Sequence, residues 1–158
     1  MARHDISPSE YDIAGARIAI VAARFNDFVV TRLLEGALAT LSWHGLGADD
    51  TLVVRVPGAF ELPLTARWLA RGGDADAVIA LGAVIRGDTP HFDYVCAEAA
   101  RGIQAASAET GVPVIFGVLT CDDRAQAEAR AGGEHGNKGG EAALAALEMV
   151  TLRRRLGV

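Results

Sequence analysis

Residues 77–109 read AVIALGAVIRGDTPHFDYVCAEAARGIQAASAE, and this stretch decides the fold class. Its first part, up to Ile85, is apolar and rich in β-branched residues, which is typical of a strand buried in a parallel sheet. Turn formers follow, and from His91 onward the apolar positions recur at helical spacing. The stretch therefore predicts a strand, a helix, and between them a short connecting segment, which we call the crossing.

The same alternation runs through the rest of the chain. Further short apolar runs lie at 18–22, 52–56 and 112–119, and helical patterns lie at 27–43, 62–71, 91–109, 124–131 and 138–156. Strands that alternate with helices predict an α/β fold with right-handed crossovers. We expect a three-layer αβα sandwich with four buried parallel strands and helices on both faces of the sheet.

Length and composition limit the organisation of the chain. At 158 residues and 51% hydrophobic content, it can bury one core, so we expect a single domain over residues 16–158. Residues 1–15 resemble an arm that needs a partner surface to order it. They lack the apolar core of a signal peptide, and no apolar run approaches the roughly 18 residues of a membrane span. The expected location is cytoplasmic, without membrane contact.

Charge and cysteine usage exclude further classes. The net charge is -5, and the one cluster of cations, 153–155, ends a helical pattern where it complements the helix dipole, so no nucleic-acid partner is expected. Cys96 and Cys121 fit no metal-ligand spacing and are expected to be free thiols in a reducing compartment.

Unusual residues follow each predicted strand, at 24–26, 57–61, 86–91 and 120–123. In an open parallel sheet, ligands bind outside the carboxyl ends of the strands. The positions alone therefore predict a small-molecule site at this edge of the sheet.

The crossing after the third strand carries a helix-start signature. Thr89 is the predicted cap and Pro90 the first helical residue, which places His91 in the first turn. Gly87 permits a tight turn, so the amides of residues 88 and 89 can form an anion pocket at the positive end of the dipole. Asp88 would repel a phosphate unless its side chain points away.

His91 is the expected proton-transfer group. The helix dipole disfavours its protonated form, so a neutral imidazole can accept a proton near neutrality. The alternative is a surface histidine capped by water, but the preceding Gly-Asp-Thr favours a functional role. His4, His44 and His135 lack such a context and are expected to be structural.

The residues after the first two strands offer recognition groups. Glu61 begins the second helix, where it can accept hydrogen bonds from a polyol or a heterocyclic N–H, or simply cap the helix. Gly58 and Ala59 are small and permit close approach of a ligand. Phe25 could stack on a planar ring or pack in the core.

Residues 129–140, ARAGGEHGNKGG, are glycine-rich and contain Arg130 and Lys138. This segment could clamp a phosphate or simply join two helices. The sequence has no phosphate-binding loop, dinucleotide motif, metal-ligand cluster or nucleophile elbow, so we expect neither cofactor nor metal.

Four segments carry a family resemblance: VPGAFELP (56–63), GAVIRGDTPHFDYVCAEAARGI (82–103), PVIFGVLT (113–120) and RAGGEHGNKGGEAA (130–143). In this order and spacing they resemble the lumazine synthase family of riboflavin biosynthesis, over nearly the whole chain from Ile18. The resemblance implies a flavodoxin-like fold. It also implies condensation of 5-amino-6-ribitylaminouracil with 3,4-dihydroxy-2-butanone 4-phosphate to 6,7-dimethyl-8-ribityllumazine, phosphate and water, with no cofactor or metal.

The resemblance also implies a role for each matching residue. His91 would shuttle protons, while Asp88, Thr89 and Arg130 would bind the phosphate, with Lys138 as an additional contact. Phe25 would stack on the pyrimidine. The residues implied to hold that ring and its ribityl chain are Ala59, Phe60, Glu61, Ala83, Val84, Ile85 and Phe116.

The resemblance implies that the site is shared between chains. Phe116 lies inside the fourth strand, not after it, and in the family Phe116 and Arg130 come from a neighbouring subunit. The family's basic unit is a ring of five. The short connection 132–138 resembles that of members whose rings close into sixty-subunit shells, while other members remain single rings or form decamers. Riboflavin synthase is a further candidate partner.

Two other interpretations remain. A binding protein of the same fold could hold a lumazine or flavin without turnover, although His91, Arg130 and Glu61 argue for an enzyme. A receiver-like signalling domain would need clustered acidic residues after the first strand and a phosphoryl-accepting aspartate after the third, where this chain has Arg24 and Arg86.

Overall fold

A computed structural model describes residues 10–158. Its central sheet contains β1 (Ile18–Ala23), β2 (Thr51–Val56), β3 (Ala77–Ile85) and β4 (Val114–Cys121). The helices are α1 (Asp27–Trp43), α2 (Leu62–Arg71), α3 (His91–Thr110), α4 (Arg124–Ala129) and α5 (Lys138–Leu156). Two short strands, β5 (Ala131–Gly133) and β6 (Gly136–Asn137), pair before α5.

The four main strands are all parallel, in the order β2-β1-β3-β4. Ile18 pairs with Thr51 on one side and with Ala77 on the other, and Ala80 pairs with Phe116. The predicted α/β class, parallel sheet and flavodoxin-like order are confirmed.

Alternate residues of the strands point into two separate cores, as the pleat requires. One core lies between the sheet and helices α1 and α5, and includes Ile20, Leu33 and Leu147. The other lies between the sheet and helices α2 and α3, and includes Leu62 and Ile103. These two cores form the three layers that the alternation predicted.

The prediction of four buried strands is wrong for β2. Leu52 is 55% exposed and Val53 is also exposed, whereas every residue of β1 is buried. The physical reason is helix coverage: α3 and α5 pack on the other edge strand, β4, whereas no α-helix packs closely on β2 within the described residues, and the apolar composition of β2 does not reveal this.

Helices α1 and α5 are in backbone contact. A Cβ added to Gly139 would overlap the carbonyl oxygen of Leu33 and lie 2.6 Å from its carbonyl carbon. Only glycine therefore fits at position 139 without displacing one of the two helices.

The predicted arm, residues 1–15, lies largely outside the described part of the chain. Within that part, the Asp12 amide donates to the Thr151 hydroxyl at 3.0 Å, and the Tyr11 ring meets the His44 ring edge to face at 5.2 Å between centroids. Residues 11 and 12 thus contact α5 and the end of α1 of their own chain. Within residues 10–158, no helix is both long and apolar enough to cross a membrane.

Candidate active site

The central feature of the candidate site is the crevice between β1 and β3. From β1 the chain runs through α1 to the outer strand β2, and from β3 it runs through α3 to the opposite outer strand β4. The connections diverge here, which makes this the topological switch point where open parallel sheets bind ligands. Phe25, Asn26, Ala83, Val84 and Ile85 line the crevice.

Asn26 joins the two sides of the crevice. Its side-chain amide donates to the carbonyl of Ala83 at 2.8 Å, and its own carbonyl accepts the amides of Val29 and Val30 at the start of α1. Among residues 10–158 it is the only non-glycine residue with positive φ, at 62°. Asparagine tolerates this left-handed conformation better than most residues.

A wider hollow adjoins the crevice and shares Phe25, Ala59, His91 and Val95 with it. Its volume is about 680 Å³, within the range of small-molecule sites. We call the crevice and this hollow together the first concavity. Its remaining walls include Gly58, Phe60, Glu61, Gly87, Thr89 and Tyr94.

Three aromatic side chains surround the first concavity and remain largely exposed: Phe25 at 72%, Phe60 at 59% and Tyr94 at 68%. Core packing, the alternative for Phe25, is therefore wrong. Tyr94 had not been predicted, although it lies one helical turn after His91 and this spacing is visible in the sequence. Exposed aromatic faces can stack on a planar ligand.

Glu61 stands at the end of the short 3-10 turn Ala59–Glu61 and immediately before α2. Its side chain makes no capping hydrogen bond to that helix, so the capping alternative is not observed. The Glu61 carboxylate lies at the wall of the first concavity, beside Gly58.

His91 lies at the first residue of α3, exposed on the wall of the first concavity. Its backbone amide donates to the Thr89 hydroxyl over a long 3.4 Å, and Pro90 occupies the cap position in place of the predicted Thr89. The predicted placement of His91 in the first turn is confirmed. Asp88 is exposed and lines neither part of the first concavity.

Arg86 lies beside this turn, and its guanidinium is paired with two carboxylates. Its Nε donates to Asp122 at 2.9 Å, its Nη1 lies 3.5 Å from Asp93, and its guanidinium sits 4.3 Å from the centre of the Phe92 ring. The hydrogen bond to Asp122 raises the pKa of Arg86 above its usual value.

A second concavity of about 440 Å³ lies beside the edge strand β4. Its lining includes Phe116, Arg130, His135, Lys138 and Glu141, and it shares no residue with the first concavity. Apart from Asp88, which lines neither concavity, the side chains that the resemblance assigns to one site therefore fall into two separate sets on a single chain.

The β5–β6 hairpin shapes the second concavity. The Lys138 amide donates to the Arg130 carbonyl at 2.9 Å, and the His135 amide donates to the Ala129 carbonyl at 2.7 Å. The Arg130 guanidinium donates to the Gln126 carbonyl at 3.0 Å. The glycine-rich segment thus joins two helices, as one of its two interpretations predicts, but it does so as a hairpin; phosphate binding by this segment stays a prediction. The sequence around His135 indicates no functional context, but the hairpin places His135 in the lining of the second concavity with Arg130 and Lys138.

The cysteines give no sign of nucleophilic chemistry. Both are free thiols, as predicted. Burial is the largest influence on each and raises the pKa of Cys96 and of Cys121, so neither is an activated thiolate at neutral pH. No group of three or more potential metal ligands occurs within the described residues.

The fold and the first concavity define a class: an α/β protein that binds a small molecule at the switch point of an open parallel sheet. Comparison with known proteins identifies the family. Residues 15–154 match the family model for 6,7-dimethyl-8-ribityllumazine synthase. The chain belongs to this family.

Two curated relatives are similar over nearly their full lengths. The 6,7-dimethyl-8-ribityllumazine synthase of Desulfovibrio desulfuricans is 54% identical, and that of Nitratidesulfovibrio vulgaris is 53% identical. Each comparison covers 93% of this chain and 94% of the relative. The predicted resemblance is confirmed, and with it the prediction of an enzyme with lumazine synthase activity.

Proposed function

We propose that the chain condenses 5-amino-6-ribitylaminouracil with 3,4-dihydroxy-2-butanone 4-phosphate to give 6,7-dimethyl-8-ribityllumazine, phosphate and water. The observation that carries this proposal is the first concavity, in which exposed aromatic rings, a carboxylate and a helix-start histidine meet at the switch point. The names of the two relatives agree with it.

In this proposal the first concavity holds the ribitylaminouracil. The exposed face of Phe25 stacks on the pyrimidine ring. Ala83, Val84 and Ile85 form the wall beside the ring, and Ala59, Phe60 and Glu61 hold the ring and its ribityl chain. This role of Glu61 is supported by its side chain, which makes no capping hydrogen bond to the helix that follows.

His91 moves protons in this proposal. Attack of the amine on the ketone, loss of phosphate and ring closure each require proton transfer. Each step begins from a reactive partner, so holding the two substrates together supplies much of the acceleration. His91 is therefore expected to accelerate the reaction without being indispensable.

The phosphate is bound by Thr89 and Asp88 from one chain and by Arg130 from its neighbour, with Lys138 as an additional contact. What supports a shared site is the separation of the two concavities, since Arg130, Lys138 and Phe116 of one chain lie apart from its own His91. The first concavity of one chain would face the second concavity of the next.

A shared site makes assembly part of the function. We propose a ring of five chains as the basic unit, with a decamer and a sixty-subunit shell as the alternative higher assemblies and riboflavin synthase as a candidate partner. Sedimentation velocity distinguishes a ring from a shell.

Mixing the purified protein with both substrates and following lumazine fluorescence tests the function. We expect product formation well above the spontaneous rate of the same mixture without protein. A rate equal to the spontaneous one, combined with tight binding of the product lumazine, would instead identify a non-catalytic binding protein.

A further inference from the structure

Arg86 lies outside the residues assigned to the substrates, and its contacts reach both ends of the crossing that carries His91. We propose that Arg86 is a positioning residue that fixes His91 by holding the first turn of α3 against the end of β4 through Asp122. This inference rests on the proposed function, because it concerns the proton-transfer role of His91.

The Arg86 side chain connects three elements. It follows the last residue of β3, bonds to Asp122 directly after β4, and meets Asp93 and Phe92 in the first turn of α3. Its backbone amide also donates to the Cys121 carbonyl at 2.9 Å, which continues the β3–β4 pairing by one residue. Arg86 is thus fixed to the sheet at its backbone and to the helix at its side chain.

Few interactions fix the crossing, residues 86–90, apart from those of Arg86. These residues form neither helix nor strand, and beyond the contacts of Arg86 with Asp122 and Asp93 their side chains make, within the described part of the chain, only the long hydrogen bond in which the Thr89 hydroxyl accepts from the His91 amide. Phe92 and Asp93 immediately follow His91 in the chain. A shift of the turn that Arg86 holds would therefore move His91 with it.

The exposure of three side chains distinguishes a positioning role for Arg86 from a role in folding. The side chains of Arg86, Asp93 and Asp122 are 49%, 64% and 64% exposed. Exposed ion pairs contribute little to global stability. Loss of Arg86 should therefore change the geometry of the turn more than the melting temperature.

Direct phosphate binding is the competing role for Arg86. Two carboxylates lie within 3.5 Å of its guanidinium and neutralise much of its charge. They would also repel an approaching phosphate. The two roles predict different kinetics, since a lost phosphate contact raises KM whereas a misplaced proton-transfer group lowers kcat.

The test compares R86Q with R101Q, each in the wild-type and the H91A backgrounds. Arg101 is a matched control because it is exposed on α3 and pairs with Glu98 at 2.7 Å, away from both concavities. We expect R86Q to lower kcat about tenfold and to leave KM nearly unchanged. R86Q/H91A should be no slower than H91A alone, and R101Q should match the wild type.

D122N keeps an oxygen that accepts from Arg86 but removes its charge, so it should lower kcat in the same direction as R86Q by a smaller factor, and it carries the same test if R86Q does not fold. Crystal structures of R86Q and R101Q give a measurement independent of turnover, with His91 displaced relative to β3 in the first variant only. The proposal is overturned by unchanged kcat in both R86Q and D122N, by an effect on KM alone, by losses that multiply with H91A, or by an undisplaced His91. A wild-type protein without turnover would refute the proposed function and leave the structural comparison to decide on Arg86.

Discussion

Mixed assemblies of two defective chains test the shared site directly. His91 belongs to the first concavity and Arg130 to the second. H91A should lower kcat about a hundredfold, the usual contribution of a general acid–base group. R130A should mainly raise KM for the butanone phosphate, because it removes a cation from the proposed phosphate contacts.

The expected recovery follows from counting sites. In a ring assembled at random from equal amounts of H91A and R130A chains, a site is intact when its first concavity comes from an R130A chain and its second from an H91A chain. Each condition holds in half of the cases, so about a quarter of the sites are intact. Activity at low butanone phosphate should therefore rise to about a quarter of the wild-type value.

The assay uses co-expressed chains with different affinity tags, purified over both tags and followed by lumazine fluorescence. Co-expression of H91A with F25A is the matched control. Both of these variants damage the first concavity, so every site in their mixed rings carries a defective first half and no recovery is expected.

Activity of the H91A and R130A mixture equal to the average of the two parents would refute the shared site. His91 and Arg130 would then serve one site within a single chain. The two concavities would have to be parts of that site, brought together by a movement of the hairpin.

Three further predictions concern the scaffold. N26A should lower the free energy of unfolding by about 1 kcal/mol more than N26G, because both lose the hydrogen bond to β3 but only alanine is strained at positive φ; equal losses in urea titrations would contradict this. G139A should lower the free energy of unfolding by about 2–3 kcal/mol because its Cβ meets the Leu33 backbone. G140A should lower it by less than about 1 kcal/mol, because a Cβ there lies 3.1 Å from a side-chain hydroxyl; both variants are measured at one protein concentration. Cys96 should react with iodoacetamide at pH 8 more slowly than a cysteine peptide, because burial raises its pKa and keeps it protonated; a peptide-like rate would refute this.

Local composition was sufficient to predict most of the fold. The strands β1 and β3 and helices α1, α2 and α5 begin or end where apolar runs meet turn formers, because both signals are local. The β5–β6 hairpin escaped prediction, since its glycines show no alternation of apolar and polar residues. The exposure of β2 was also not predicted, because no single segment of the sequence specifies how the strands are arranged and covered in the fold.

The candidate site was predictable in part for the same reason. His91 and Glu61 were located from helix-start signals, which depend on a few adjacent residues. The hydrogen bond of Asn26 was not, because its acceptor lies 57 residues away in the chain. The contacts of Arg86 were not predictable from local sequence either, because Asp122 and the first turn of α3 come together with it only through the crossover from β3 to β4.

The second concavity has an electrostatic consequence. The chain carries a net charge of -5, yet this concavity gathers the basic side chains of Arg130, His135 and Lys138 against one carboxylate, that of Glu141. An anion that approaches the acidic surface is repelled at long range and attracted at close range by these side chains. In the proposed shared site, this field would turn the phosphate of the butanone phosphate towards the second concavity as the substrate enters.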